Sequence, residues 1–195
     1  MNWKFESGKL WVNGIEKPLT YSKTLDELRL VLKDQRASGP DPAYWVFRDV
    51  KDSEAPEGQR SDITVLTTGQ IGQEYVKTHG HYHLGDGIEK YKLLKGNAMV
   101  LMQKPTFNFE GIESVRLVRM PLGQFVEIPP GWGHSVINIG EEEAVLENFE
   151  PLTINQLYSP YQKLHGSSYY VLEREGKPTI EPNTNYKDLP RLQTY

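Results

Sequence analysis

Cysteine is absent from the 195 residues. This excludes disulfide frameworks, thiolate metal sites, iron–sulfur clusters and cysteine nucleophiles together, so any metal chemistry must rest on imidazole and carboxylate. Excess positive charge is also missing: 22 Lys and Arg stand against 26 Asp and Glu, a net charge of −4. A chain so balanced carries no electrostatic footprint for nucleic acid or an anionic membrane. No apolar run approaches the roughly 18 residues of a membrane-spanning helix, and Met1-Asn2-Trp3-Lys4-Phe5-Glu6 lacks the basic and apolar regions of a secretory signal. The expected compartment is the cytoplasm, with no nucleic-acid or membrane partner. What remains, 37% hydrophobic and 25% charged residues, is enough to pack one substantial core.

The first forty residues hold one helix-like stretch, Thr24 to Lys33, in which Leu25, Leu28, Leu30 and Val31 recur at near-helical spacing and Thr24 can form a capping box with Glu27. A Gly- and Pro-rich loop, residues 36–42, follows. From Ala43 the texture changes to short runs rich in Val, Ile, Tyr, Phe and Thr, broken every 8–12 residues by turn formers. The expected strands are 44–49, 64–67, 74–83, 90–94, 98–103, 115–120, 125–128, 134–138, 145–149 and 169–173, with 51–62 a polar loop and hairpin turns at Gly85-Asp86-Gly87 and Lys95-Gly96-Asn97. An all-β sandwich or small antiparallel barrel is implied. Three segments are expected: residues 1–42 as an N-terminal arm packing on the barrel, 43–175 as the barrel, and 176–195 as a tail.

Three of the five histidines sit in Thr78-His79-Gly80-His81-Tyr82-His83. In an extended strand these three would share one face. Glu89 opens the next run and could return a carboxylate beside them, and His134 follows the rigid corner Pro129-Pro130-Gly131. Imidazoles with one carboxylate suit a first-row divalent ion and leave positions open for substrate oxygens. Lys77, Lys90 and Lys92 read as a solvated face, Trp132 as rim packing, His165 as surface, and Glu141-Glu142-Glu143 as a solvated turn.

These residues resemble the cupin superfamily. Its second signature, Gly, five residues, Pro-x-Gly, two residues, His, three residues, Asn, is met at Gly123, Pro129, Gly131, His134 and Asn138. The first is irregular: Glu89 and Gly96 keep its closing interval, but five residues separate His83 from Glu89 where the pattern has three or four. With His81 and His83 taken as ligands, His79 becomes a neighbour on the same face. The likeness implies a double-stranded β-helix, or jelly-roll, barrel.

A nearer resemblance, over roughly residues 44–175, is to the cupin-type glucose-6-phosphate isomerases of archaea and some bacteria. It lies in Thr64-Val65-Leu66, Thr78, Gly80-His81-Tyr82-His83, Glu89-Lys90-Tyr91 and Ile128 to Gly140. The resemblance implies one divalent metal per subunit, Fe(II) first, with Mn(II), Ni(II) or Zn(II) also compatible, held by His81, His83, Glu89 and His134. It places Tyr44, Thr64, Thr78, Gly80, Tyr91 and Tyr158 around a phosphorylated sugar, and suggests a homodimer. Glu150 and Gln156 stand where that family has tyrosine and histidine, which bears on the choice of sugar. For an aldose–ketose isomerase, Glu89 is the candidate base and Tyr91 or His79 could move protons between oxygens, by an enediol route, while a metal-aligned hydride shift is the other route. Other classes compatible with the same residues are an isomerase or epimerase of a different sugar phosphate, a cupin dioxygenase and a non-catalytic sugar-binding cupin.

Overall fold

The computed structural model describes residues 2–50 and 55–195. Two six-stranded sheets face one another. One runs, in spatial order, Phe125–Ile128, Glu89–Lys95, Ala144–Pro151, Gln59–Leu66, Tyr44–Phe47 and Tyr21–Lys23. The other runs Asn155–Leu157, His81–Leu84, Gly133–Asn138, Ala98–Pro105, Ile112–Arg119 and Gln193–Thr194. We call these the carboxylate sheet and the histidine sheet, after the residues they bring to the centre.

From His81 onward the chain repeatedly crosses between the sheets. His81–Leu84 lies in one and Glu89–Lys95 in the other, and the next strand, Ala98–Pro105, is back in the first. The turns at Gly85-Asp86-Gly87 and Lys95-Gly96-Asn97 are therefore crossovers, not the hairpins the sequence suggested. Gly96 still takes the left-handed backbone, φ +87°, that turn chemistry requires. This back-and-forth path is the jelly-roll double-stranded β-helix expected from the sequence.

Side-chain alternation gives each sheet two buried faces. Val46, Leu66, Leu93, Leu146, Val100, Met102 and Val136 fill the space between the sheets. On the outer face of the carboxylate sheet, Phe47, Ile63, Val65 and Val145 pack on Leu10 and Val12. Those two residues belong to an antiparallel meander of Trp3–Glu6, Lys9–Val12 and Ile15–Lys17. Outside the histidine sheet, Leu101, Ile112, Val115, Leu117 and Ile137 pack on Tyr75, Leu164, Val171 and Tyr186. Residues 177–182 pair with Tyr169–Arg174, so the first part of the expected tail is one arm of a regular hairpin.

The helix forms where Thr24 and Glu27 make the reciprocal capping box, but it is short: α-helix Leu25–Leu28 passes into a 3₁₀ turn, Arg29–Val31. Leu25, Leu28 and Val31 reach the central core, whereas Leu30 is half exposed.

Two expected elements are corrected. The strand anticipated at 64–67 spans Gln59–Leu66, taking up the last third of the presumed polar loop, of which residues 51–54 lie outside the described residues. The continuous strand 74–83 is broken into Glu74–Tyr75 and His81–Leu84. At the break Gly80 adopts φ +79°, and a Cβ there would lie 2.5 Å from the Tyr161 ring. Glycine is required at that point, and the extended alternation stops with it. Lys77, just before the break, is buried against Glu74 and faces the Tyr170 ring, so it is not part of a solvated face.

Candidate metal centre

The histidine sheet supplies three imidazoles. His81 and His83 sit two residues apart on one strand, and His134 is directly opposite His81 on the neighbouring strand. The Pro129-Pro130-Gly131 corner makes this possible by ending Phe125–Ile128 in one sheet and starting Gly133–Asn138 in the other. Glycine at 133 is also needed, because a Cβ there would lie 2.6 Å from the Tyr82 ring. The carboxylate comes from the opposite sheet: Glu89 projects across the interior to 3.0 Å from His83 Nε2 and 3.5 Å from His134 Nε2.

One donor atom from each of His81, His83, Glu89 and His134 lies within 4.8 Å of the others, and all four residues are buried. Among the described residues, His81 Nε2, both nitrogens of His83, His134 Nδ1 and Glu89 Oε2 are buried without a hydrogen-bond partner. Unsatisfied polar atoms are costly in an interior, and several converging at one point are what a cation would satisfy. Burial holds the pKa of His81 and of His134 well below the ordinary imidazole value, with further lowering from the neighbouring histidines. Neutral imidazole is the form that ligates. The donors present fit a divalent ion.

A cavity opens beside the cluster, lined by Tyr44, Thr64, Thr78, His79, Gly80, Tyr91 and Tyr158, all anticipated from the sequence. The Tyr91 hydroxyl pairs with His134 Nε2 at 3.1 Å, and burial, with the Glu89 charge second, keeps its pKa well above that of an ordinary phenol. His79 does not share a strand face with His81 and His83, because the strand is broken between them. It reaches the cavity from the preceding loop, where its backbone N–H donates to the Tyr44 hydroxyl at 3.4 Å and its ring meets that of Tyr158 edge-on at 5.4 Å. Burial lowers its pKa as well. Thr78 is partly engaged in structure, since its Oγ1 accepts from Val136 N at 3.0 Å, but its own hydroxyl proton is left over to donate.

The cavity has further walls that the sequence reading did not place there: Tyr21, Arg48, Asp62 and Asn148. Asn148 stands between Tyr91 and Asp62 in the strand register and donates through Nδ2 to Glu89 Oε1 at 2.7 Å. Arg48 is half-buried, its Nε lacks a partner among the described residues, and its guanidinium lies over the Tyr21 ring at 5.6 Å. The sequence reading placed it inside the expected strand 44–49, whereas the strand ends at Phe47.

Glu150 and Gln156, the two departures noted above, touch each other: Gln156 Nε2 lies 3.0 and 3.1 Å from the two Glu150 oxygens. Arg60 Nη2 donates to Glu150 Oε2 at 2.6 Å while its Nε donates to Asp62 Oδ2 at 2.7 Å. Burial pushes the Glu150 carboxyl up to about 7, helped by the Glu89 charge and opposed by Arg60.

A jelly-roll barrel with three histidines and one glutamate converging inside it defines a metal-binding cupin. Comparison with known proteins sharpens the class. A family model described as glucose-6-phosphate isomerase (GPI) matches residues 22–189, and the chain belongs to that family. The glucose-6-phosphate isomerase of Thermococcus litoralis is 30% identical over 148 residues, covering 75% of this chain and 74% of that one. That of Pyrococcus furiosus is 29% identical over 189 residues, 94% of each chain.

Proposed function

We propose that the protein is a metal-dependent aldose–ketose isomerase interconverting glucose 6-phosphate and fructose 6-phosphate. The observation that carries this reading is the convergence of three buried imidazoles from one sheet and one carboxylate from the other beside a hydroxyl-rich cavity. The family supplies the reaction.

A divalent ion held by His81, His83, Glu89 and His134 would act as a Lewis acid on the carbonyl oxygen of the open-chain sugar. The chain's own groups do the rest. Glu89 is the base that takes the C2 proton and returns it at C1, and Asn148, by donating to Oε1 at 2.7 Å, leaves Oε2 turned toward the histidines. Tyr91, a neutral phenol throughout the physiological range, carries a proton between the two oxygens, with neutral His79 as the alternative carrier.

The phosphate end is assigned to Arg48, with Tyr44, Thr64, Thr78 and Gly80 as hydroxyl and backbone donors and Tyr158 as a wall of the same cavity. Arg48 provides a local cation that the −4 net charge of the chain does not. Fe(II) is the ion expected first. A homodimer is the expected assembly.

The reading is tested by stripping metal, reconstituting with Fe(II), Mn(II), Ni(II) or Zn(II), and assaying fructose 6-phosphate beside other sugar phosphates. Metal-restored formation of glucose 6-phosphate is the expected result. Oxygen consumption on another substrate, or metal-independent turnover, would overturn it.

A further inference from the structure

We propose that Glu150 is a specificity-determining acceptor that reads a hydroxyl group on the carbon chain of the sugar, with Arg60 and Gln156 as its positioning residues. The proposal rests on the isomerase reading above and concerns which polyhydroxylated phosphate monoester the cavity accepts.

Glu150 lies on the carboxylate sheet, is only 4% exposed and lines the cavity. Its carboxylate is clamped from both sheets. Arg60, its partner across the strand pair, donates from the same sheet at 2.6 Å. Gln156, which stands opposite His83 in the histidine sheet, donates to both oxygens at 3.0 and 3.1 Å. Gln156 is itself fixed, because its carbonyl oxygen accepts from the Tyr158 hydroxyl. Arg60 is fixed in turn by Asp62 at 2.7 Å.

A carboxylate has about four lone-pair positions. Arg60 and Gln156 do not fill them, so an anchored acceptor faces the cavity with capacity to spare. A hydroxyl donor would complete it, whereas a ligand lacking that hydroxyl would bury the acceptor less than fully satisfied. The same wall discriminates by charge, since Glu150 and Asp62 share the one guanidinium of Arg60. An anionic phosphate is disfavoured beside that pair of carboxylates. The network thus sets both the orientation of the sugar and the position at which a hydroxyl is required.

The test compares metal-loaded wild type with Glu150→Met, which keeps bulk and removes the acceptor, on fructose 6-phosphate and its 3-deoxy and 4-deoxy analogues. Calorimetric binding of glucitol 6-phosphate and its matching deoxy forms runs in parallel. Wild type should lose roughly ten-fold or more in kcat/KM on one of the deoxy analogues. In Glu150→Met that penalty should shrink to about three-fold or less, with the loss on the parent sugar appearing mainly in KM. If Glu150→Met does not fold, as judged by circular dichroism and metal content, Gln156→Met takes its place and should shift the penalty in the same direction.

An undiminished deoxy penalty in the variant overturns the proposal. Should wild type turn over no hexose phosphate, the isomerase reading fails separately and the calorimetric arm decides alone. Weaker glucitol 6-phosphate binding in the variant, with a smaller deoxy penalty, then supports Glu150 as the reader. Equal binding, or no binding by wild type, rejects it.

Discussion

The two sheets face the same interior but bring different chemistry to it. The histidine sheet offers His81, His83 and His134 from adjacent strands, in register. Such a set is built by strand alternation and pairing alone. The carboxylate sheet offers Glu89, Tyr91, Asn148, Asp62, Arg60 and Glu150, drawn from three neighbouring strands. Its groups hold one another by hydrogen bonds across those strands. One sheet resembles a fixed ligand platform, and the other a wall that both completes the platform and decides what may sit against it. On the roles proposed above, metal binding and substrate choice would be separable, because the histidines lie on one sheet and Glu150 on the other, and the two meet at Glu89.

The sharpest way to break this division is at the residue that belongs to both roles. Glu89→Gln should reduce turnover by about 10²–10⁴-fold, the usual worth of a general base, while the three histidines retain part of the metal. Full activity in that variant would remove Glu89 from the chemistry. A smaller effect is expected at Asn148→Ala, which takes away the donor to Glu89 Oε1. Outer partners of metal ligands typically contribute 10–100-fold in affinity or rate, so competition with a chelator should show metal binding weakened within that range. Unchanged metal affinity together with an unchanged pH–rate profile would make Asn148 a bystander.

Arg48→Leu probes the cationic wall of the cavity. We expect KM for the phosphorylated sugar to rise roughly ten-fold, about 1.4 kcal/mol, with kcat nearly constant and metal content unaffected. An equal drop in kcat with constant KM would move Arg48 out of ground-state binding. The smallest effect is on stability. Glu150 is raised to about 7 in the folded chain from an ordinary 4.5. Between those values the folded chain keeps a proton that the unfolded chain has lost, so folding weakens as pH rises through the window. Glu150→Gln should therefore melt higher than wild type above pH 7, by up to roughly 3 kcal/mol before the weakened Arg60 contact is offset. The advantage should vanish below pH 4.5. A difference independent of pH would show that the carboxyl is not strained by burial.

Much of the histidine sheet was legible in the sequence, and much of the carboxylate sheet was not, for a physical reason. His81 and His83 are separated by the two-residue period of a strand, and His134 follows a Pro-Pro-Gly corner whose conformational limits are local. The capping box at Thr24 is local too, and it formed as read. The crossovers at Gly85-Asp86-Gly87 and Lys95-Gly96-Asn97 could not be told from hairpins, because the same turn residues serve a chain that folds back beside itself and one that passes to the facing sheet. His79 was misplaced on the strand because the break at Gly80 arises from the Tyr161 ring, a contact remote in sequence. Strand Gln59–Leu66 was read short because Arg60, Ser61 and Asp62 are polar. Ser61 and Asp62 are buried all the same and Arg60 is partly buried, being paired with Glu147, the Asp49 backbone and Glu150, and such pairing overrides residue preference. The coupling of Glu150 to Gln156 is likewise a contact between sheets, visible only once the barrel closes.

The central claim is that the two sheets hold one metal between them. Titrating metal-free protein with a divalent ion, alongside His81→Ala from the histidine sheet and Glu89→Ala from the carboxylate sheet, tests it most directly. One ion per chain is expected in wild type, with a clear loss of affinity in both variants. Wild-type affinity in either variant, or no stoichiometric binding in wild type, would contradict it.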